Sequence, residues 1–183
     1  ILKSFEIQKN PSKIKSKYIF LLYGENIGLK KDVKKIITSF NNNEKKDEDE
    51  VVTYTEEEVL KSEEEFYNSI YSGSLFGGKK ILVVNRVTDK FFKYLENNFT
   101  EKKPGDIVLI LTAEILDKKS KLRSFCEQNN NIFCIPCYQD TTRDLQVILK
   151  KELETQEISI SQKSMNLLIE NANGDHNNLK NEI

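Results

Sequence analysis

Five short runs of apolar residues recur along the chain and limit the folds that it can adopt. Each run has the length of a strand, and the nearly continuous apolar character of the central runs is typical of strands in a parallel sheet covered on both faces. Segments with helical periodicity separate the runs, and this alternation predicts an α/β fold with a parallel sheet flanked by helices. The runs are YIFLLY at 18–23, VVTYT at 51–55, KILVVNRV at 80–87, DIVLILTA at 106–113 and NIFCI at 131–135.

The segments between the runs carry helix signals. Apolar residues follow one another at helical spacing over 29–40, which predicts a helix with one buried face. Thr55 and Glu58 have the spacing of a capping box and predict one helix over 56–71. Asp89 and Asp117 predict the starts of two further helices. The buried face of the 56–71 helix is expected to hold Val59, Phe66, Tyr67 and Ile70.

The strand runs stop after Pro136, and the rest of the chain has only helical patterns. Apolar residues form one helical stripe over 145–153 and a second over 165–172, before Gly174 interrupts the pattern. We therefore predict two domains: an α/β domain over 1–140 and the start of a small all-α domain over 141–183. Because Ile1 is not a Met and Ile183 lies inside a helical pattern, we expect the chain to be part of a longer protein.

Composition excludes some classes of protein. The formal net charge is −1, which is not that of a strongly basic nucleic-acid-binding protein. No apolar run has the length of a transmembrane helix and no signal peptide is recognisable, so we expect a cytoplasmic protein without membrane contact.

Cys134 and Cys137 have the spacing of a redox pair but end a strand, which favours reduced, packed thiols over a thiol oxidoreductase. The single histidine, His176, lies in a polar stretch and is expected to be exposed.

The segment GENIGLKK, residues 24–31, follows the first strand, where folds of this kind often bind phosphate. A phosphate loop needs G-x-x-x-x-G-K-[ST], but here no Ser or Thr follows Lys30 and Lys31, and Glu25 would repel phosphate. We therefore interpret the segment as a tight turn into a helix. No catalytic motif occurs elsewhere, so the sequence predicts no catalytic residue, no cofactor and no metal site. An ATP-hydrolysing protein with a divergent phosphate loop stays the alternative.

A second segment, SGSLFGGKK at 72–80, places Leu75 and Phe76 side by side among Gly and Ser. Such a pair has little backbone support for a position in the core. It is either tucked under its own loop or exposed for a partner to bury.

Several stretches together resemble the delta subunit family of bacterial DNA polymerase III, the clamp-loader subunits that do not bind ATP. YIFLLYGENIGLKKD is similar to the family's first strand and degenerate phosphate loop, and SGSLFGGKKILVVNRV to its clamp-binding loop and third strand. ILDKKSKLRSF resembles a helix start of the family, and NLLIENANGDHNNLKNEI resembles its lid helices. ATP-using relatives have an Arg where this chain has Asn177.

The resemblance implies an ATPase-like (AAA+) α/β domain, a truncated helical lid and a C-terminal collar domain that is absent from this chain. It implies a subunit of the DNA polymerase III holoenzyme that binds the sliding clamp and opens it during DNA replication. Leu75 and Phe76, with Ser74 beside them, would bind the clamp. The other implied partners are the remaining clamp-loader subunits, through the collar, and primed DNA, indirectly or weakly.

Overall fold

The computed structural model describes residue 7 and residues 10–41, 49–74, 78–99 and 107–183. Its five strands form one parallel sheet in the order β2-β3-β4-β1-β5. Helices flank the sheet and three more helices follow it, so the predicted fold class is confirmed. The strands are β1 (Ile19–Tyr23), β2 (Glu50–Thr55), β3 (Lys80–Asn85), β4 (Ile107–Ala113) and β5 (Ile132–Pro136).

Strand β1 lies inside the sheet, paired with β4 on one side and β5 on the other. All five of its residues are buried, which explains why its sequence is apolar throughout rather than alternating. Phe20 and Leu22 point into the apolar cluster on one face, whereas Leu21 and Tyr23 point into the cluster on the opposite face. The loop that follows β1 therefore leaves the carboxyl edge of the sheet near its middle.

The helices divide between the two faces of the sheet. Helix α1 covers one face with Leu29, Val33 and Ile37, as the sequence predicts, and Ile14 of the short 3-10 helix packs into the same cluster. Helices α2 to α5 cover the other face. The eight α-helices assigned in the described residues are α1 (Ile27–Asn41), α2 (Glu56–Lys61), α3 (Glu63–Tyr71), α4 (Phe91–Asn98), α5 (Lys121–Gln128), α6 (Thr142–Thr155), α7 (Gln162–Asn171) and α8 (His176–Asn181). A short 3-10 helix, Pro11–Ser16, precedes β1.

The predicted single helix over 56–71 is two helices, α2 and α3, that meet at Ser62. The predicted capping box is present, because Thr55 and Glu58 exchange hydrogen bonds between side chain and backbone. The prediction for Tyr67 is wrong: its side chain is 39% exposed, whereas Phe66 beside it is buried. Adjacent helical residues differ by about 100° in direction, and α3 buries only the narrow face that holds Phe66 and Ile70.

Two predicted helix starts are also wrong in detail. Helix α4 begins at Phe91, and the Asp89 carboxylate accepts hydrogen bonds from the Ser120 hydroxyl and the Leu122 backbone N–H. Helix α5 begins at Lys121 and not at Asp117; its N-cap is Ser120, whose hydroxyl accepts the Arg123 N–H, and Asp89 provides a second cap by accepting the Leu122 N–H. The hydrogen bond from Ser120 lowers the pKa of Asp89 below its usual value.

Helices α6, α7 and α8 enclose a separate apolar cluster that includes Leu149, Ile169 and Leu179. Each begins with a capped N-terminus: Thr141 and Asp144 form a capping box for α6, Ser161 caps α7 and Asp175 caps α8. No helix within the described ranges is long and apolar enough to cross a membrane.

Candidate functional site

The turn between β1 and α1 is closed by the side chain of Asn26, which is buried. The Asn26 Oδ1 atom accepts a hydrogen bond of 2.8 Å from the Leu29 backbone N–H in the first turn of α1. Its Nδ2 atom donates to the carboxylate of Asp140 at 2.9 Å and to the carbonyl of Tyr138 at 3.2 Å. In a phosphate loop, the backbone N–H groups in the first turn of the helix point at the bound anion. Here the Leu29 N–H is already hydrogen-bonded to Asn26.

Lys30 occupies the lysine position of the phosphate-loop pattern when the pattern is counted from Gly24. Its ammonium donates to the carbonyl of Gly24 at 2.9 Å and to the carbonyl of Ala113, at the end of β4, at 3.0 Å. The lysine therefore joins the loop to the neighbouring strand. Leu29 and Lys31 fill the positions where the pattern requires Gly and a hydroxyl residue.

Both glycines of the turn are needed because other parts of the chain approach them closely. Gly24 has a φ of +133°, and a Cβ atom there would lie 2.1 Å from the carbonyl oxygen of Cys137. A Cβ atom on Gly28 would lie 2.7 Å from Asp175 Oδ1 and 2.7 Å from Asn177 Nδ2, at the start of α8. The C-terminal helices thus touch the loop directly, and Asn177 stands against it.

The prediction that His176 is exposed is wrong. Its side chain is 2% exposed and lies between two carboxylates, Asp140 at 2.7 Å from Nδ1 and Asp32 at 3.1 Å from Nε2. The hydrogen bond to Asp140 raises the pKa of His176, although burial acts in the opposite direction. Burial raises the pKa of Asp140, but hydrogen bonds from His176 and Asn26 outweigh it, so that this pKa lies below its usual value.

An open cleft of about 800 Å³ adjoins the turn at the carboxyl ends of β1, β3 and β4. Lys31, Lys34 and Arg86 line it together with Glu25 and Glu114. Its floor is closed by a hydrogen bond of 3.0 Å between the side chains of Thr112 and Asn85. Among the described residues, no cluster of His, Cys, Asp and Glu could hold a metal ion.

The CxxC pair cannot act as a redox couple in this arrangement. Cys134 and Cys137 are both buried, and they belong to the apolar clusters on opposite faces of the sheet. Burial also raises the pKa of the Cys137 thiol to about 12, which disfavours the reactive thiolate. The structure therefore supports the interpretation of packed thiols and argues against a thiol oxidoreductase.

The second candidate site is the loop between α3 and β3. Leu75 and Phe76 lie outside the described residues, and Ser74 beside them is half-buried. A Cβ atom on Gly73 would meet no other atom within 4 Å, so the space around the backbone is open at this residue.

The two ends of this loop are anchored. At the first end, the Ser72 N–H donates to the carbonyl of Asn68 at 2.8 Å. At the second end, the Asp49 carboxylate accepts the Lys79 N–H at 2.9 Å. Lys80 joins both ends, because its buried ammonium donates to the Ser72 hydroxyl at 3.0 Å. Lys80 is therefore a structural residue and does not provide the steering charge that an exposed lysine would.

Tyr67 and Tyr71 form an exposed aromatic pair on α3, immediately before the loop. Their ring centroids are 4.6 Å apart, and 39% and 51% of the two side chains are exposed. A hydrogen bond with Tyr67 raises the pKa of Tyr71. The sequence contains a signal for this pair, because two aromatic residues four positions apart lie on one face of a helix.

Comparison with known proteins provides an independent test of the resemblance. The family model for "DNA polymerase III, delta subunit" matches residues 20–137, which is more than half of the chain. No match was found among curated protein sequences.

Solved structures share the fold at low sequence identity. The Bacillus subtilis DNA clamp loader delta protein aligns with a TM-score of 0.63 and 15% identity, over 98% of this chain and 55% of that one. Domain III of the Thermotoga maritima replication initiation protein DnaA aligns with a TM-score of 0.51 and 15% identity, over 97% and 77%. DnaA bound to AMPPCP and single-stranded DNA aligns with a TM-score of 0.56 and 13% identity, over 98% and 57%.

At these identities the alignments establish a shared AAA+-like fold, and the chain spans about half the length of the Bacillus subtilis protein. The family match rests on sequence and covers β1, the closed turn after it, the loop between α3 and β3, and β5. The chain belongs to the DNA polymerase III delta subunit family.

Proposed function

We propose that the chain is the clamp-binding part of a clamp-loader subunit, which binds the sliding clamp through the loop between α3 and β3 and helps to open it for loading on DNA. The observation that carries this proposal is the family match over residues 20–137, which includes the loop with Leu75 and Phe76. The anchored ends of the loop support it, because they fix the place from which an apolar pair can project. Ser74 is the described residue nearest the pair and belongs to the proposed contact.

The apolar contact proposed for Leu75 and Phe76 is large enough to contribute measurably to clamp binding. Burying Leu75 and Phe76 in a pocket of a partner would contribute ~1.5–3 kcal/mol for each side chain, before the cost of ordering the loop. Tyr67 and Tyr71 extend the apolar surface along α3, and tyrosine is among the residues that most often carry binding energy at interfaces. We propose that the tyrosine pair contacts the clamp beside the loop.

We propose that the chain performs no ATP chemistry of its own. Asn26 bonds the N–H of Leu29, Lys30 donates to two carbonyl groups, and Gly28 is in contact with the start of α8. An ATP phosphate would have to displace all three sets of contacts. The alternative, an ATP-hydrolysing protein with a divergent loop, therefore requires a rearrangement of the turn and of the C-terminal helices.

The remaining parts of the proposal follow from the family. The chain would work in the cytoplasm as a non-catalytic part of the polymerase holoenzyme. It would contact the other loader subunits through a further collar domain, and primed DNA only indirectly or weakly. We also propose that residues 1–140 and 141–183 are two domains, a division that the separate apolar cluster of α6 to α8 supports.

A binding measurement with the cognate sliding clamp, with and without Mg-ATP, tests the proposal. We expect the clamp to bind the 183-residue chain equally well in both conditions, and calorimetry to detect no ATP binding to the chain. Clamp binding that requires Mg-ATP would favour the alternative function. Absence of clamp binding in both conditions would contradict the proposed one.

A further inference from the structure

The contact between the C-terminal helices and the α/β domain contains a cluster of charged side chains. The buried apolar residues of α6, α7 and α8 form a cluster of their own, separate from the two clusters that cover the sheet. Burial of apolar surface therefore does little to join the helices to the domain. The charged side chains that join them include Asp140 in the connection before α6, His176 and Lys180 on α8, and Asp32 on α1.

Asp140 is the centre of this contact. Its Oδ2 atom accepts three hydrogen bonds: from Asn26 Nδ2 at 2.9 Å, from the His176 backbone N–H at 3.1 Å and from His176 Nδ1 at 2.7 Å. Its backbone N–H donates to the carbonyl of Gly174 at 2.8 Å. The same carboxylate thus holds the turn after β1 and the start of α8.

The ring of His176 reaches a second carboxylate on the opposite side, because Nε2 lies 3.1 Å from Asp32 Oδ2. A neutral imidazole has only one N–H group, so it can donate to one carboxylate but would direct a lone pair at the other. Both contacts are favourable only when the ring carries two N–H groups and a positive charge. Lys180, which lies 3.6 Å from Asp32 and 3.8 Å from Glu152 of α6, supplies the second positive charge of the cluster.

We propose that Asp140, His176 and Asp32 form a protonation-dependent clasp, which holds the C-terminal helices on the α/β domain and loosens when His176 loses its proton. The clasp occupies the place where the turn after β1 meets α8, so the protein's own charges join the two parts there. Asp175, which caps α8 through the Asn177 N–H, lies beside it and adds a further negative charge. The inference does not depend on clamp binding.

The direction of the pH effect follows from linkage. Asp140 and Asp32 favour the charged imidazole, so the pKa of His176 in the closed state is raised above its ordinary value of 6.5. A group with a raised pKa stabilises the closed state fully below its ordinary pKa, and this stabilisation is lost as the pH rises through the raised value. The clasp is therefore expected to hold at pH 6 and to weaken as the pH rises through the raised pKa of His176. Each unit of difference between the two pKa values corresponds to about a tenfold change in the opening equilibrium.

Nuclear magnetic resonance can follow the clasp directly, because His176 is the single histidine of the 183 residues. With ¹⁵N-labelled histidine, we expect both ring nitrogens to be protonated at pH 6.5 and the titration midpoint to lie above 6.5. Hydrogen exchange of residues 24–31 and 174–181, corrected for the intrinsic effect of pH, should accelerate along the same titration curve. The acceleration should be about tenfold per unit of raised pKa, with no matching change in β3.

Two variants separate the clasp from a general effect of charge. Asp32→Asn should lower the titration midpoint of His176 and accelerate exchange in the two segments at pH 6. Glu170→Gln, which removes an exposed carboxylate from α7, should change neither. If Asp32→Asn does not fold, the pH series on the unaltered chain decides the question alone. A midpoint at or below 6.5, or exchange that does not follow the titration, would overturn the proposal.

Discussion

Replacement of Gly24 by Ala tests whether the turn after β1 is a closed structural element. The backbone of Gly24 has a φ of +133°, and an added Cβ atom would lie 2.1 Å from the Cys137 carbonyl oxygen. That carbonyl accepts the Asn26 N–H at 3.0 Å, and the Cys137 N–H donates to Tyr23 at 2.7 Å. Because the obstructing atom belongs to the backbone, a side-chain rotation cannot relieve the contact.

The expected loss of stability combines strain with broken hydrogen bonds. A non-glycine residue in such a backbone conformation costs about 1–3 kcal/mol, and each of the two backbone hydrogen bonds contributes about 0.5–1.5 kcal/mol. We expect Gly24→Ala to lower the free energy of unfolding by roughly 2–6 kcal/mol. For a protein of this size, that loss corresponds to a decrease in Tm of roughly 4–24 °C.

Thermal and urea unfolding followed by circular dichroism would measure the effect. Gly73→Ala is a matched control, since a Cβ atom at Gly73 would meet nothing within 4 Å. The control should change the free energy of unfolding by less than about 0.5 kcal/mol. If Gly24→Ala melts within about 2 °C of Gly73→Ala, the turn is not held against the end of β5 as described.

Three further predictions concern the core and the exposed face of α3. The three buried cysteines should react with iodoacetamide only after unfolding, and rapid labelling of Cys134 or Cys137 in the folded protein would contradict the packing described here. Asp89→Ala should lower the free energy of unfolding by ~0.5–2 kcal/mol through loss of the cap on α5. Because the pKa of Asp89 is lowered in the folded protein, the difference in stability from the unaltered protein should vanish as the pH falls through this lowered pKa. Replacing Tyr67 and Tyr71 together by Ser should weaken clamp binding at least tenfold, since interface tyrosines often contribute more than ~1 kcal/mol each. The Tm should stay nearly unchanged because both side chains are exposed. Clamp affinity equal to that of the unaltered protein would exclude these tyrosines from the interface.

The positions of the strands can be predicted from the sequence because each strand depends on its local composition. Strand β1 is apolar throughout since it is buried on both faces, and the other strand runs likewise lie where their sequences predict them. The order of the strands was not available from the residues alone, because it depends on which distant segments pair. Helix caps were predictable where cap and partner are three residues apart, as for Thr55 and Glu58.

The errors occur where a side chain depends on residues that are distant in the sequence. His176 is buried by Asp140 and Asp32, which lie 36 and 144 positions away. Asp89 caps a helix that begins 32 residues later and not the helix beside it. Lys80 lies near the Leu75–Phe76 pair in the sequence, but its ammonium is buried by contacts to Ser72 and Glu50. Periodicity and spacing contain no information on such contacts.

We propose that Leu75 and Phe76 bind the sliding clamp and do not belong to the core. The most direct measurement determines clamp affinity and thermal stability on one protein in which both residues are replaced by Ala. Loss of the ~3–6 kcal/mol of apolar burial should weaken clamp binding by a factor on the order of a hundred or more. Stability should change by less than about 0.5 kcal/mol, as for ordinary surface substitutions. A collapse of Tm, with the clamp affinity of the folded molecules unchanged, would show that the pair belongs to the core and would contradict the account.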